Sequence, residues 1–306
     1  MIASLPAPSR VAIDGPNAYV ASHEMDQGHF HNTLLEVPLD GAPPRRRWEF
    51  EGFLRIIDIA VRGRQLYFTQ GDSVWSLAPG ASQPRPIATG WKEPWAVATD
   101  ATHVYFTARG TLDRGDGAVV RVPIAGGKPE VVAGHLSSPQ ELALDGANVY
   151  VSLFVRVNLD RGLFDGSLLR IPKSGGPPVR LAGDRGAVTG IAADGRSVYW
   201  TADGMRWGKS GVYRIDLASS RVSVLADGQR GWYGGLAIDE ANVYWTNGEN
   251  RVQETSKTGG PIDTLARWQD RPHYIAATGR IVVWVNAGHN EGEMVKLPGS
   301  LMAMRR

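Results

Sequence analysis

Glu141 and His273 are the side chains of this 306-residue chain best suited to move a proton. A carboxyl and an imidazole set in one pocket can share general acid–base work, provided their surroundings bring a pKa near the working pH. Around them in an internal alignment stand Arg10, Asp58, Trp95, Gln140 and Tyr274, and close to these in sequence lie Trp232 and Tyr233. That mixture of flat aromatic surface with a few charges and amides is what a small-molecule or glycan pocket requires. A second cluster is His23, His29 and His31, three of the seven histidines within nine residues, with Glu24 and Asp26 beside them. Imidazole and carboxylate donors suit zinc or a similar ion, although this spacing matches no strong metal motif; the alternative is an exposed polar loop. The Asp- and Gly-rich stretches Leu112–Gly117 and Asn158–Gly166 offer oxygen ligands of the kind calcium takes, or simply turns leading into the next strand. If a cofactor is used, a divalent ion (calcium, magnesium or zinc) is the class these residues fit.

Several chemistries are excluded. The chain has no cysteine, so it forms no disulfide, thiolate metal site or cysteine nucleophile. It contains no Gly-x-Ser-x-Gly elbow, no phosphate-cradling glycine loop and no His-Glu-x-x-His. The net charge of +2 is spread through both signs, which argues against a nucleic-acid partner; Arg45-Arg46-Arg47 reads as a solvated strand edge. No apolar run approaches a membrane span. Met1–Arg10 lacks the pattern of a signal peptide, so the sequence as written reads as cytoplasmic, or as secreted or periplasmic if a leader has been trimmed. A monomer is expected.

What must position these residues is a repeat. Leu142-Ala-Leu-Asp-Gly-Ala-Asn-Val-Tyr-Val-Ser152 recurs as Val11–Ala21, Ile191–Thr201 and Leu236–Thr246, and more loosely as Ile59–Thr69, Val97–Thr107 and Ile275–Val285. Each copy divides at an Asp-Gly-like turn into an apolar strand and a strand rich in Tyr, Trp, Val and Thr. A third strand follows, often ending in Pro, as at Leu168–Pro172, with Met294–Pro298 as its copy in the last unit. After a Gly-Gly turn comes a fourth, such as Val179–Ala182. Four strands every 38–49 residues is the pattern of a β-propeller blade. The reading is all-β, one domain over residues 1–306, with seven blades of four antiparallel strands at about 9–52, 53–90, 91–134, 135–183, 184–228, 229–267 and 268–306; six blades is the alternative. The last unit takes its fourth strand from either Leu301–Met304 or Ile2–Leu5.

The runs Tyr199-Trp-Thr-Ala202 and Tyr244-Trp-Thr-Asn247, with Gly166-Ser-Leu-Leu-Arg-Ile-Pro-Lys-Ser-Gly-Gly-Pro177, resemble YWTD-type and NHL-type propeller repeats. The likeness covers essentially the whole chain. It implies a WD40-like ring and, in that wider group, either a binding propeller or an enzyme such as streptogramin lyase or the gluconolactonase-like proteins. YWTD domains usually have six blades, so seven fits the lyase-like members better.

The repeat also supplies an internal comparison. Aligned on the invariant Ala12, Ala60, Ala98, Ala143, Ala192, Ala237 and Ala276, the residue two earlier is Arg10, Asp58, Ala96, Glu141, Gly190, Gly235 or Tyr274. The residue three earlier is Ser9, Ile57, Trp95, Gln140, Thr189, Gly234 or His273. Positions where blades disagree are where function is grafted onto a shared scaffold. Two readings stay open for them: an Arg10–Asp58 ion pair that plugs the axis, or a polar pocket at the channel mouth. In the pocket reading the loops leading into the first strands add Trp91, Trp95, Trp232 and Tyr233, and the apolar stretches Leu153–Val157 and Leu163–Phe164 form a lid or meet a partner. The occupant is then a small molecule, a glycan or a protein. In the enzyme version Glu141 or His273 is the general base of a metal-assisted elimination or a lactone-opening hydrolysis, and Ala96, Gly190 and Gly235 leave room for substrate.

Overall fold

The computed structural model describes the chain except residues 27–28, 113, 159–162, 184–185, 204–209, 229–233, 289, 292–294, 297–298 and 306, and it describes only the backbone at 25–26, 155–158, 163–165, 290–291 and 295–296. Seven four-stranded antiparallel sheets stand round one axis as a β-propeller. The innermost strands are Pro8–Asp14, Ile56–Arg62, Pro94–Thr99, Pro139–Leu144, Ala187–Ala193, Gly235–Ile238 and Pro272–Thr278 for blades 1 to 7. Each touches the innermost strand on either side, and the last touches the first, so the ring is closed.

The conserved Asp and Tyr of the repeated phrase form a clasp. Asp145 accepts hydrogen bonds from the backbone N–H of Ala147 and Asn148 and from the Tyr150 hydroxyl at 2.5 Å. Asp194 and Asp239 do the same, with Tyr199 and Tyr244 at 3.2 and 2.7 Å. One carboxylate thus fixes the turn and satisfies a hydroxyl at the buried end of the second strand. Asp194 and its blade 3 counterpart Asp100, which accepts from Thr102 N–H and His103 N–H, also tie blades together. Lys173 of blade 4 reaches Asp100 of blade 3 at 2.8 Å, and Lys257 of blade 6 reaches Asp194 of blade 5 at 3.0 Å.

The Thr of the phrase has a different task. The Thr69 hydroxyl accepts from the Asp58 N–H of its own blade and donates to the Trp95 carbonyl of the next. Thr107 likewise accepts from Ala96 N–H and donates to the Gln140 carbonyl. The second strands are the buried ones: Trp200, Trp245 and Trp284 are at most 2% exposed and fill the space between sheets.

Three expectations change. The third strand of blade 7 is Gly299–Arg305, paired with Ile281–Asn286, rather than Met294–Pro298. Gly299 permits this, since a Cβ there would lie 2.1 Å from Pro8 Cδ and 2.6 Å from the Asn286 carbonyl. The fourth strand is Ala3–Leu5, so of the two options the N-terminal one closes the ring. The stretches around His23–His31 and Leu153–Phe164 are not loops but extensions of hairpins, Asn17–Asp26 against His29–Pro38 and Asn148–Asn158 against Leu163–Pro172. Finally, the glycines of the inner columns do not leave room for substrate. A Cβ on Gly190 would meet Leu236 N at 2.9 Å, and one on Gly235 would meet the His273 carbonyl at 3.1 Å. They are small because the neighbouring inner strand passes that close.

Candidate functional site

Six of the seven inner strands carry an irregularity at the same place, between Pro8 and Arg10, Ile56 and Asp58, Pro94 and Val97, Pro139 and Leu142, Val188 and Gly190, and Pro272 and Ile275. A β-bulge sets two residues against one and re-aims their side chains. Simple alternation would send adjacent residues to opposite faces. The bulge instead lets Gln140 and Glu141, and His273 and Tyr274, line one cavity together. This cavity has a volume of about 590 Å³ and takes its walls from blades 3 to 7. Trp95, Gln140, Glu141, His273 and Tyr274 are among them, with Phe154, Asp203, Asn247 and Arg271.

Arg10 and Asp58 stand behind that wall. Arg10 is 9% exposed, and its Nε lies 3.3 Å from an Asp58 carboxylate oxygen. Its guanidinium stacks on the Tyr274 ring at 3.4 Å, and it donates to the Ser9 carbonyl at 3.2 Å. The other Asp58 oxygen accepts from Val97 N–H at 2.9 Å. One guanidinium therefore serves three blades. Trp95 is clamped from one side by Arg109, 4.3 Å from its ring centroid. Trp91 packs edge-on against Phe106 in the core between blades, so it is a wedge and not a ligand surface.

The electrostatics follow from two buried carboxyls near one guanidinium that is paired with Asp58. Burial pushes the Glu141 carboxyl up to about 7; Asp58 adds to the shift, and Arg10 and the Trp95 indole N–H oppose it. Burial also raises Asp58, against the pull of Arg10 and the Val97 N–H. His273 opens onto the cavity but is flanked by protein. Burial, then Arg10, Arg271 and Arg55, push it down to about 4. At neutral pH the pocket holds a neutral imidazole and a carboxyl poised to gain or lose its proton.

These shifts have opposite consequences for stability. Glu141 binds its proton more tightly folded than unfolded, so its contribution is present below the unfolded value of 4.5 and is lost as pH rises to about 7. The His273 contribution is present above 6.5 and is lost as pH falls to about 4. Relative to wild type, Glu141→Gln should therefore gain stability between pH 4.5 and 7, and His273→Asn should lose it between pH 4 and 6.5. After screening by cavity water each difference should be about 1 kcal/mol. Urea midpoints across that range read it; profiles parallel to wild type for both variants would contradict these environments.

The remaining candidates do not join this cavity. Pairing sets His23 opposite Asn32 and His31 opposite Glu24, which places His23 on the other face of the hairpin from His29 and His31. His23 Nδ1 lies 2.9 Å from the Asn32 side-chain oxygen, while His29 and His31 each lie 3.9 Å from Glu51. Among the described residues no three His, Asp or Glu side chains converge as a metal-ligand set. Trp232 and Tyr233 lie outside the described residues, as does much of 158–166. Phe154, Asp203 and Asn247 line the cavity but were missed by the columns compared above. The signal was there at the ends of the second strands, where Asp203 and Asn247 break the pattern just after the Tyr-Trp-Thr runs.

Neither a protein-family model nor a curated protein sequence matches the chain. Solved structures do. Hydrazine synthase of Kuenenia stuttgartiensis is 14% identical with a TM-score of 0.72, over 99% of this chain and 97% of that one. A puromycin-hydrolyzing peptidase of Mycobacterium tuberculosis is 14% identical with a TM-score of 0.71, over 98% of this chain and 50% of that one. The β-propeller domain of the trilobed protease from Pyrococcus furiosus is 12% identical with a TM-score of 0.68, over 98% and 97%. At these identities the likeness shows the propeller fold.

Proposed function

We propose that the chain is a ligand-binding propeller that holds a small molecule at the mouth of its channel. The observation that carries this reading is the cavity of about 590 Å³ built by five successive blades at the column where the repeats diverge. Its volume lies in the range of small-molecule sites, and its walls combine aromatic rings with a few convergent polar groups. The resemblance to YWTD- and NHL-type repeats agrees with a binding propeller.

A fragment library screened by thermal shift and by crystal soaking tests it. Fragments are expected to collect beside Trp95 and His273, and Trp95→Ala should weaken them about tenfold, the loss of one well-packed aromatic contact. Fragments scattered over the surface, or affinities unchanged in Trp95→Ala, would refute the assignment.

One observation favours a second reading, a lyase or lactonase-type hydrolase in the same pocket. Burial pushes Glu141 up to about 7 in a cavity that His273, pushed down to about 4, also lines, and a carboxyl near 7 is where a general base works best at neutral pH. A panel of lactones and esters separates the two readings. Glu141→Gln abolishes turnover if the carboxyl is the base, and only weakens affinity if the propeller merely binds.

A further inference from the structure

Two charged side chains of the mouth cavity lack an ion pair. Among the described residues, Glu141 and Arg271 have no oppositely charged group within 4.0 Å, and both line the cavity. Among the described residues the Arg271 guanidinium donates one hydrogen bond, to the Gly288 carbonyl at 3.5 Å. They sit on blades 4 and 7, as far apart round a seven-bladed ring as two blades can be. The walls between them include Trp95, Phe154, His273 and Tyr274.

Arg271 has a φ of 55°, the left-handed state that Ala7, Glu93 and Ser138 also take just before the proline opening their inner strands. Its N–H donates to the Gln269 carbonyl and its carbonyl accepts from Ala287 N–H, at 3.1 and 3.2 Å. The Gln269 side-chain oxygen in turn accepts from Trp284 Nε1 at 3.0 Å and from Asn286 Nδ2 at 3.1 Å. These bonds tie the loop to the buried second strand, and among the described residues the guanidinium at its end has no ion-pair partner.

An uncharged ligand would leave both groups unanswered. An anion would answer Arg271 and meet the Glu141 carboxylate at the far side; a cation would do the reverse. We propose that the cavity takes a zwitterion of the short-peptide class, whose charged ends stand several bonds apart, its carboxylate on Arg271 and its ammonium on Glu141, with an apolar side chain against the aromatic wall. The proposal rests on the channel mouth being a ligand site. Guanidinium pairs bidentately with a carboxylate, and His273, uncharged at neutral pH, does not compete for it. The groups facing Glu141 are Arg10, Asp58 and the Trp95 indole. Arg10 is already engaged by Asp58, which leaves Glu141 for an ammonium.

Calorimetric titration with L-phenylalanine, L-phenylalanyl-L-phenylalanine, 2-phenylethylamine, 3-phenylpropionate and phenyl β-glucoside tests this at pH 7.5. The dipeptide should bind ten times more tightly than the amino acid, the amine, the acid and the glucoside. Arg271→Met should reduce it to the level of the amine, and Glu141→Gln to the level of the acid. Arg271 is exposed and Glu141→Gln is isosteric, so both variants should fold. Equal or tighter binding of the amino acid or of a singly charged or neutral probe, or a dipeptide preference that survives both substitutions, overturns the proposal. If these five fail while library fragments bind at the mouth, the ligand class is wrong and the pocket stands. If no fragment binds there either, the pocket reading falls with it.

Discussion

Arg10→Met should cost about 3–5 kcal/mol of folding stability, the usual penalty for stripping one partner from a buried ion pair. Arg10 is nearly fully buried, is paired with Asp58 and is stacked on Tyr274. It is also the cation that lowers both the Asp58 and the Glu141 carboxyls. Without it two desolvated carboxyls face each other, and both must take up protons. The loss should therefore be largest at alkaline pH and shrink as pH falls. Replacing the pair together, as Arg10→Met with Asp58→Leu, should recover part of the loss, because the pair's own desolvation disappears with it. Urea unfolding of the three proteins measures this. A single-variant loss below about 1 kcal/mol would mean that the pair behaves as a solvated surface bridge. Should Arg10→Met fail to fold, Arg10→Lys retains the charge but loses the planar stack on Tyr274, and an intermediate loss is then expected.

Leu5→Ala should cost about 2–4 kcal/mol although it lies in a strand of only three residues. Leu5 is 3% exposed and belongs to the core between blades 7 and 1, with Val20, Val37, Val285 and Leu301. Ala3, Ser4 and Leu5 pair with Leu301, Ser300 and Gly299. That pairing fastens the first residues of the chain to the last strand, so it completes blade 7 and covers its open edge. Deleting residues 1–6 should cost more than the single substitution and should expose the segment 299–305 to protease. If Leu5→Ala stays within about 0.5 kcal/mol of wild type, as a surface change would, closure at this seam carries no stability.

Much of this architecture is written in the chain because one phrase has to do the same work seven times. The Asp that caps the turn, the Tyr that reaches it and the Thr that bridges to the next blade must keep their spacing, as in Asp145 and Tyr150 or Thr107 and Gln140. Their periodicity gave the blade count. The columns Arg10–Tyr274 and Ser9–His273 were visible for the converse reason, since unlike residues occupied slots where packing alone would repeat. What was hidden depends on local geometry. Nothing in Pro139–Leu144 announces a bulge, yet the bulge is what lets Gln140 and Glu141 face one cavity. Gly190 and Gly235 read as empty space because sequence does not show how near the adjacent strand runs. The histidine stretch looked like a loop because polar composition masks strand pairing, and the register alone separates His23 from His29 and His31. In blade 7, the sequence Met294–Pro298 reads like the Pro-ended third strands elsewhere, whereas the paired segment is Gly299–Arg305. Asp203 and Asn247 escaped because they end second strands and not the first strands that were aligned.

The site as a whole depends on Glu141 sitting in a desolvated pocket shared with Arg10, Asp58 and His273. The direct measurement is the titration of the Glu141 carboxyl carbon by NMR, assigned by difference against Glu141→Gln. The geometry described here requires a midpoint near 7. A midpoint at the ordinary glutamate value of 4.5 would place the carboxyl in open solvent, and the converging pocket, with the ligand assigned to it, would be wrong.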